Sequence, residues 1–375
     1  MHNTTGMTMT QPQNSLPAVA HLLAWPVAAA VKRRCVLRAA TLLCLALLCP
    51  TVRGHGDDPL TAAVHVDDAQ RFARLFSAGT TSTAELQNGY LDGAGRGVQV
   101  FTPHRIENAA NLAAAVADRQ ADYAHAIATC LPLAQALNAE LRAVYLAYRG
   151  MLPEKPLPAV HLVFGAANSG GTASPDAQVI GLEVMCGRGT SPEAFRAGMR
   201  RIFAHETVHS WQTQPGSEPA DLLIYAALAE GVPDLLAELV TGLAPSPERA
   251  AFGGAREALI WRQFEADRVA VLAGDKTVLR RWFGNAGATL DGVAQGWPSE
   301  LGYWVGQQIA RAYFERASDK RTALRELIDN RDPGAVLQAS GYAPRQGRFR
   351  CKSGQVAQAA AKPTCTWLRP PCLAR

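Results

Sequence analysis

His205, Glu206 and His209 stand in the order His-Glu-x-x-His. Residues four apart on a helix share a face, one turn from each other. Two imidazoles at that spacing reach one zinc ion, and a glutamate beside the first can hydrogen-bond a water on the metal. The plainer alternative is a helix with two surface histidines and a glutamate. Phe195, Met199, Ile202 and Phe203 argue against it, because they give the helix an apolar side that would be buried. Two histidines do not hold a zinc ion alone, so at least one more protein ligand is needed. Twenty residues lie between His209 and Glu230. They suffice for one helix to end, turn near Pro215-Gly216 and return as an antiparallel helix. Glu230 is the expected third ligand. Asp234, four residues on, is placed to accept from the far nitrogen of His205 and fix that ring, if the helix runs through Pro233.

The elements around this trio also follow from the sequence. Ser191, Pro192 and Glu193 form a strong helix start. Apolar runs at 159–164 and 177–185 read as strands, with a Gly- and Ser-rich loop at 165–176 between them and a turn at 187–191. Before them, 67–77, 108–131 and 134–148 have helical spacing. After the zinc motif, helices are expected at 218–241, 246–273, 276–283, 298–317, 321–328 and 333–339. The expected fold class is α+β, mainly helical.

The zinc motif, followed about twenty residues later by a helical Glu and one turn on by an Asp, resembles the gluzincin metallopeptidases. Within them the chain is similar to the predicted zinc proteases of the DUF2268 type. The likeness spans roughly 66–342. It includes Tyr-Leu-Asp-Gly-Ala-Gly-Arg-Gly-Val at 90–98, Phe-Gly-Ala-Ala-Asn-Ser-Gly-Gly-Thr at 164–172, Ala-Glu-Gly at 229–231 and Leu-Gly-Tyr-Trp-Val-Gly at 301–306. The resemblance implies a zincin-like domain with a small sheet, a zinc helix and a Glu helix. It also implies a hydrolase for peptide or protein substrates, with Zn2+ as cofactor. Zinc lowers the pKa of bound water from about 15.7 to about 7, and Glu206 is the expected general base. Gluzincins often stabilise the oxyanion with a Tyr or His from a later helix, and Tyr303 is the candidate. The alternative is that Tyr303 only packs. The strand at 178–185 resembles the edge strand that pairs with extended substrates, and Gly170-Gly171-Thr172 could line the cleft.

Two other readings compete. Cys186 could replace Glu230 as third ligand, making a zinc amidohydrolase. Or the zinc could be structural, in a non-catalytic periplasmic binding or chaperone-like protein. Glu206 argues against the latter, since a structural site has no use for a general base.

The rest of the 375 residues bounds these readings. The chain is 48% hydrophobic and 18% charged, with formal net charge +5, as expected of a globular protein. No basic stripe interleaved with aromatics is present, which argues against nucleic acid as a partner. Lys32, Arg33 and Arg34 precede an apolar run from about 36 to 48, the pattern of an export signal. A Sec signal is favoured over a twin-arginine one, and the mature chain is expected to be periplasmic or secreted, without a transmembrane span. Leucine precedes both Cys44 and Cys49, which argues against lipid anchoring. Cleavage before His55 would expose a histidine amine, a copper-chelating group with no clear partner here. The expected organisation is a leader and signal at 1–54, a helical region at 55–152, the zincin-like region at 153–343 and a cysteine-containing tail at 344–375. Five of the eight cysteines follow the signal. In an oxidising compartment some should pair, with Cys130 and Cys186 one option.

Overall fold

The structure, a computed structural model, describes residues 57–344 apart from 190, 214, 245 and 287. It is α+β and mainly helical, with one four-stranded sheet. The export signal, the apolar-run cysteines, His55 and the cysteine tail lie outside the described residues. No helix among those described is long and apolar enough to cross a membrane.

Strand β1 (Val64–His65) leads into helix α1 (Asp67–Ser77). Several short helical pieces follow, among them Arg96–Phe101, and then α2 (Ala109–Asp118) and α3 (Asn138–Met151). The helix expected over 108–131 is broken. Ala109–Asp118 and Gln120–His125 are separated at Arg119 (φ −127°), and Ala126–Cys130 is a wider turn. The break lets Tyr123 enter the core, where its hydroxyl donates to the Gly165 carbonyl at 2.6 Å.

Next come β2 (Ala159–Val163), β3 (Gly171–Ser174) and β4 (Ala177–Gly181). The sheet order is β1-β2-β4-β3; β3 alone is antiparallel to its neighbour. The strand expected over 177–185 ends at Gly181, and α4 (Leu182–Arg188) begins at once. Leu182, Met185 and Cys186 bury one helical face; a short apolar run does not by itself distinguish strand from helix. The same strand was expected at the sheet edge, yet β4 is central and wholly buried. The edge is β3, whose Gly-Thr-Ala-Ser sequence reads as loop. The turn expected from 187 therefore starts only after Arg188.

Helix α5 (Pro192–Trp211) carries the zinc motif. Ser191 caps it by accepting from the Ala194 amide at 3.2 Å, with Pro192 in the first turn. Phe195, Met199 and Phe203 are buried along one side. The helix packs on β3, β4 and α3. Polar ties set its register: Gln178 Nε2, buried in β4, donates to the hydroxyls of Thr207 and Tyr145, each at 2.9 Å. Tyr148 in α3 donates to the Ala204 carbonyl at 2.8 Å.

Helix α6 (Leu222–Thr241) starts at the Asp221 cap and ends at Gly242, whose φ is +68°. It is apolar on nearly all sides and almost wholly buried, as a helix inside a bundle must be. It runs through Pro233. Helices α7 (Pro247–Leu272), α8 (Leu301–Arg316), α9 (Lys320–Asp329) and α10 (Pro333–Ser340) complete the fold. Helix α6 packs most extensively against α8. The two touch at glycines: a Cβ on Gly306 would lie 1.7 Å from the Ala227 carbonyl oxygen, and one on Gly231 would lie 2.2 Å from the Gln307 amide nitrogen.

Candidate metal centre

Helix α5 aims His205 and His209 at one point, and α6 brings Glu230 to the same point. The two Nε2 atoms are 3.0 Å apart. Glu230 Oε2 lies 3.5 Å from that of His205 and 3.3 Å from that of His209. Zinc–nitrogen bonds of about 2.0–2.1 Å place tetrahedral ligand atoms about 3.3 Å apart, and the three separations bracket that value.

The hydrogen bonds on the far side of each ring make both Nε2 atoms lone-pair donors. His205 Nδ1 is 2.9 Å from Asp234 Oδ1. A carboxylate only accepts, so that nitrogen carries the proton. His209 Nδ1 is 2.7 Å from Gln212 Oε1. The Gln212 amide is oriented by its own Nε2, which donates to the Ala229 carbonyl at 2.9 Å. Nδ1 of His209 must therefore donate as well. Two imidazole lone pairs and a carboxylate oxygen then converge with no proton between them. Glu230 Oε2 is buried without any hydrogen-bond partner. Such a convergence is costly unless a cation sits within it, so the donor set fits a divalent metal ion. Without one, the charges rearrange among the residues. Burial opposes the charged form of His205, but Asp234 and Glu230 push the ring up to about 10. Burial works against the Glu230 carboxylate too, yet the His209 and His205 rings hold it well below the usual carboxyl range.

Glu206 lies beside these three residues without joining their convergence. It is buried against the edge strand, and a Cβ on Gly171 would come within 2.4 Å of its Oε1. Burial pushes its carboxyl up, against the pull of His209 and His205. Tyr303 stacks on His205 with ring centroids 6.2 Å apart and planes 9° from parallel. The Arg249 guanidinium covers its ring at 4.7 Å. These side chains and β3 line one cleft of about 1160 Å³, which also takes in Gly170, Gly171, Thr172, Arg105 and Arg188.

All six residues expected from the sequence thus lie together. Cys186 does not join them, because it forms a disulfide with Cys130, Cα atoms 5.8 Å apart. A disulfide sulfur is no thiolate ligand, which removes the amidohydrolase alternative. Gln212, the residue that follows the last turn of α5, is a further partner whose only sequence signal is its place three residues after His209. Arg249 was missed. It donates to the Glu300 carbonyl and approaches Asp234 Oδ2 at 3.5 Å, contacts that only the tertiary fold creates.

Residues 232–344 match the family of the gliding motility protein GldB, a lipoprotein family. The matched segment holds Asp234, Arg249 and Tyr303, and begins just after Glu230. No curated protein and no solved structure matches the chain. The match overturns the expectation of a peptidase of the DUF2268 type, and with it the expected hydrolysis of peptide bonds. The helices after Glu230, expected to be the C-terminal part of a protease, are similar to a motility protein instead. The expectation against a lipid anchor also loses its footing, since the similar family is one of lipoproteins.

Proposed function

We propose that the chain is an exported, non-catalytic binding protein whose cleft is floored by a zinc ion. His205, His209 and Glu230 hold the metal, and Asp234 and Gln212 orient the rings. The observation that carries this reading is the convergence of two Nε2 atoms, each on a ring whose Nδ1 faces an acceptor, on one buried Glu230 oxygen. The zinc ties α5 to α6 and supplies a Lewis acid at the cleft floor. The arrangement of small sheet, zinc helix and Glu helix supports a zincin-like scaffold. Similarity to a gliding motility protein supports a place in an exported, lipid-anchored assembly.

The test is metal analysis of the purified chain and of His209→Ala. About one zinc per wild-type chain, lost in the variant with folding retained, is the expected result. A folded wild type without stoichiometric metal overturns it.

One observation favours a second reading, in which the site turns over its ligand. Glu206 is a buried carboxylate beside the ligand set, where it can hold or accept a proton. The chain would then be an enzyme. Hydrolysis of p-nitrophenyl acetate or bis-p-nitrophenyl phosphate, abolished in Glu206→Gln with zinc retained, would support that. Equal background rates in both proteins leave the binding reading alone.

A further inference from the structure

The cleft is lined by four arginines, and they are used differently. Arg249 is spent on Glu300, Asp234 and the Tyr303 ring. Arg201 donates to the Ala244 carbonyl at 2.7 Å. Arg105 and Arg188 have no carboxylate partner among the described residues. The Arg105 Nε is buried without a hydrogen-bond acceptor. The Arg188 guanidinium reaches the Met185 sulfur at 3.9 Å. The Arg105 backbone and the Arg188 guanidinium border the segment that leads into β3. The Arg105 carbonyl accepts from Asn168 Nδ2 at 2.9 Å, and Arg188 lies across Gly170.

Gly170 shows that this placement is built. A Cβ there would lie 2.9 Å from Arg188 Nη1 and 3.2 Å from the Met185 sulfur. The next residue, Gly171, makes the same kind of room for Glu206. Two successive glycines therefore let a guanidinium and a carboxylate lie against the strand edge on the cleft side. The Arg105 Nε–H is buried without an acceptor, a cost that an anion in the cleft would relieve. Arg188 is exposed to the cleft, and both guanidiniums share the wall with Glu206, which attracts each of them without forming a close ion pair with either. A fork of N–H donors matches the paired oxygens of a carboxylate or phosphate.

We infer that this wall is an oxyanion subsite, in which Arg188 and Arg105 hold a carboxylate or phosphate group of the ligand that occupies the cleft. The inference rests on the cleft being a binding site, but not on the metal. It names the acidic end of the ligand and sets it beside β3, at the rim of the metal centre.

The test is calorimetric titration of the purified chain with inorganic phosphate and with succinate, zinc-loaded and chelator-treated, at low and moderate salt. Saturable binding of one or both anions is expected, weakened at least tenfold in Arg188→Ala and in Arg105→Ala. It should be unchanged in Arg325→Ala, whose surface ion pair with Glu154 stands apart from the cleft. Gly170→Ala leaves every charge in place and should also weaken binding, by displacing Arg188. Tighter phosphate binding points to a phosphate-ester ligand, and tighter succinate binding to a carboxylate. No saturable binding by the wild type overturns the inference. So does equal binding by the folded Arg188→Ala/Arg105→Ala double variant, which would place the anion on the zinc alone. Anion binding that depends on Arg188 in a chain without zinc sustains this inference while removing the metal reading.

Discussion

The ring nitrogens facing away from the metal position make the most specific demand at the residue scale. Asp234 and Gln212 each fix one imidazole, so neither should be needed for zinc to bind but both for it to bind tightly. Asp234→Ala and Gln212→Ala are each expected to weaken zinc affinity by about 10- to 100-fold with stoichiometry kept, measured by competition with a chromogenic chelator. An unchanged affinity in both would separate these hydrogen bonds from the metal. His205, Glu206 and His209 were legible because one helical turn fixes their relation. Glu230 and Asp234 were legible because an apolar run places them on a second buried helix. Gln212 depends on a carbonyl of α6, and Arg188 on a gap opened by Gly170, so no local pattern announces either. Cys186 shows the reverse case: its spacing from His205 allowed ligation, and its pairing with Cys130 decided otherwise.

At the scale of elements, the site depends on how closely α6 approaches α8 and on how the strand edge is held. Gly306→Ala drives a methyl into the Ala227 carbonyl. It should lower stability by about 1–3 kcal/mol or more and loosen zinc binding, because α6 carries Glu230. Gly254→Ala in α7 meets nothing within 4 Å and should stabilise by up to about 1 kcal/mol. Thermal midpoints of the two variants check the contrast. Glu183, at the start of α4, pins the loop before β3 by accepting from the amides of Gly165 and Ala167 at 3.1 and 3.2 Å. Burial pushes its carboxyl up to about 7, against the pull of those amides. A folded value above the unfolded one means that its contribution is complete below about pH 4.3 and is lost as pH rises through about 7. Wild-type stability should therefore fall from pH 5 to 8, by on the order of 3 kcal/mol relative to Glu183→Gln. Parallel pH profiles of the two unfolding midpoints would contradict this. The helices of the second half were readable from caps and periodicity, and most boundaries agree within a few residues. Strand β3 was not, because Gly-Thr-Ala-Ser has no β-branched run and is a strand only through its pairing with β4.

For the whole molecule, the Cys130–Cys186 disulfide joins the N-terminal helical region to the helix that precedes the zinc motif. It spans 56 residues, and closing a loop of that size is worth about 4 kcal/mol. Cys130→Ser/Cys186→Ser should unfold at correspondingly lower denaturant, with its zinc site intact once folded. The mainly helical α+β class was evident from the sequence, whereas the peptidase assignment was not sustained. The residues at 205–234 speak for a metal site, but a donor set names an ion and not a reaction, and the segment from 232 onwards is similar to a motility protein.

X-ray absorption at the zinc edge of the metal-loaded chain reads the donor set itself. Two imidazole nitrogens and oxygen donors at about 2.0–2.1 Å are expected, with one imidazole lost in His209→Ala. Sulfur scattering at about 2.3 Å, or a folded chain that takes up no zinc, would contradict that donor set.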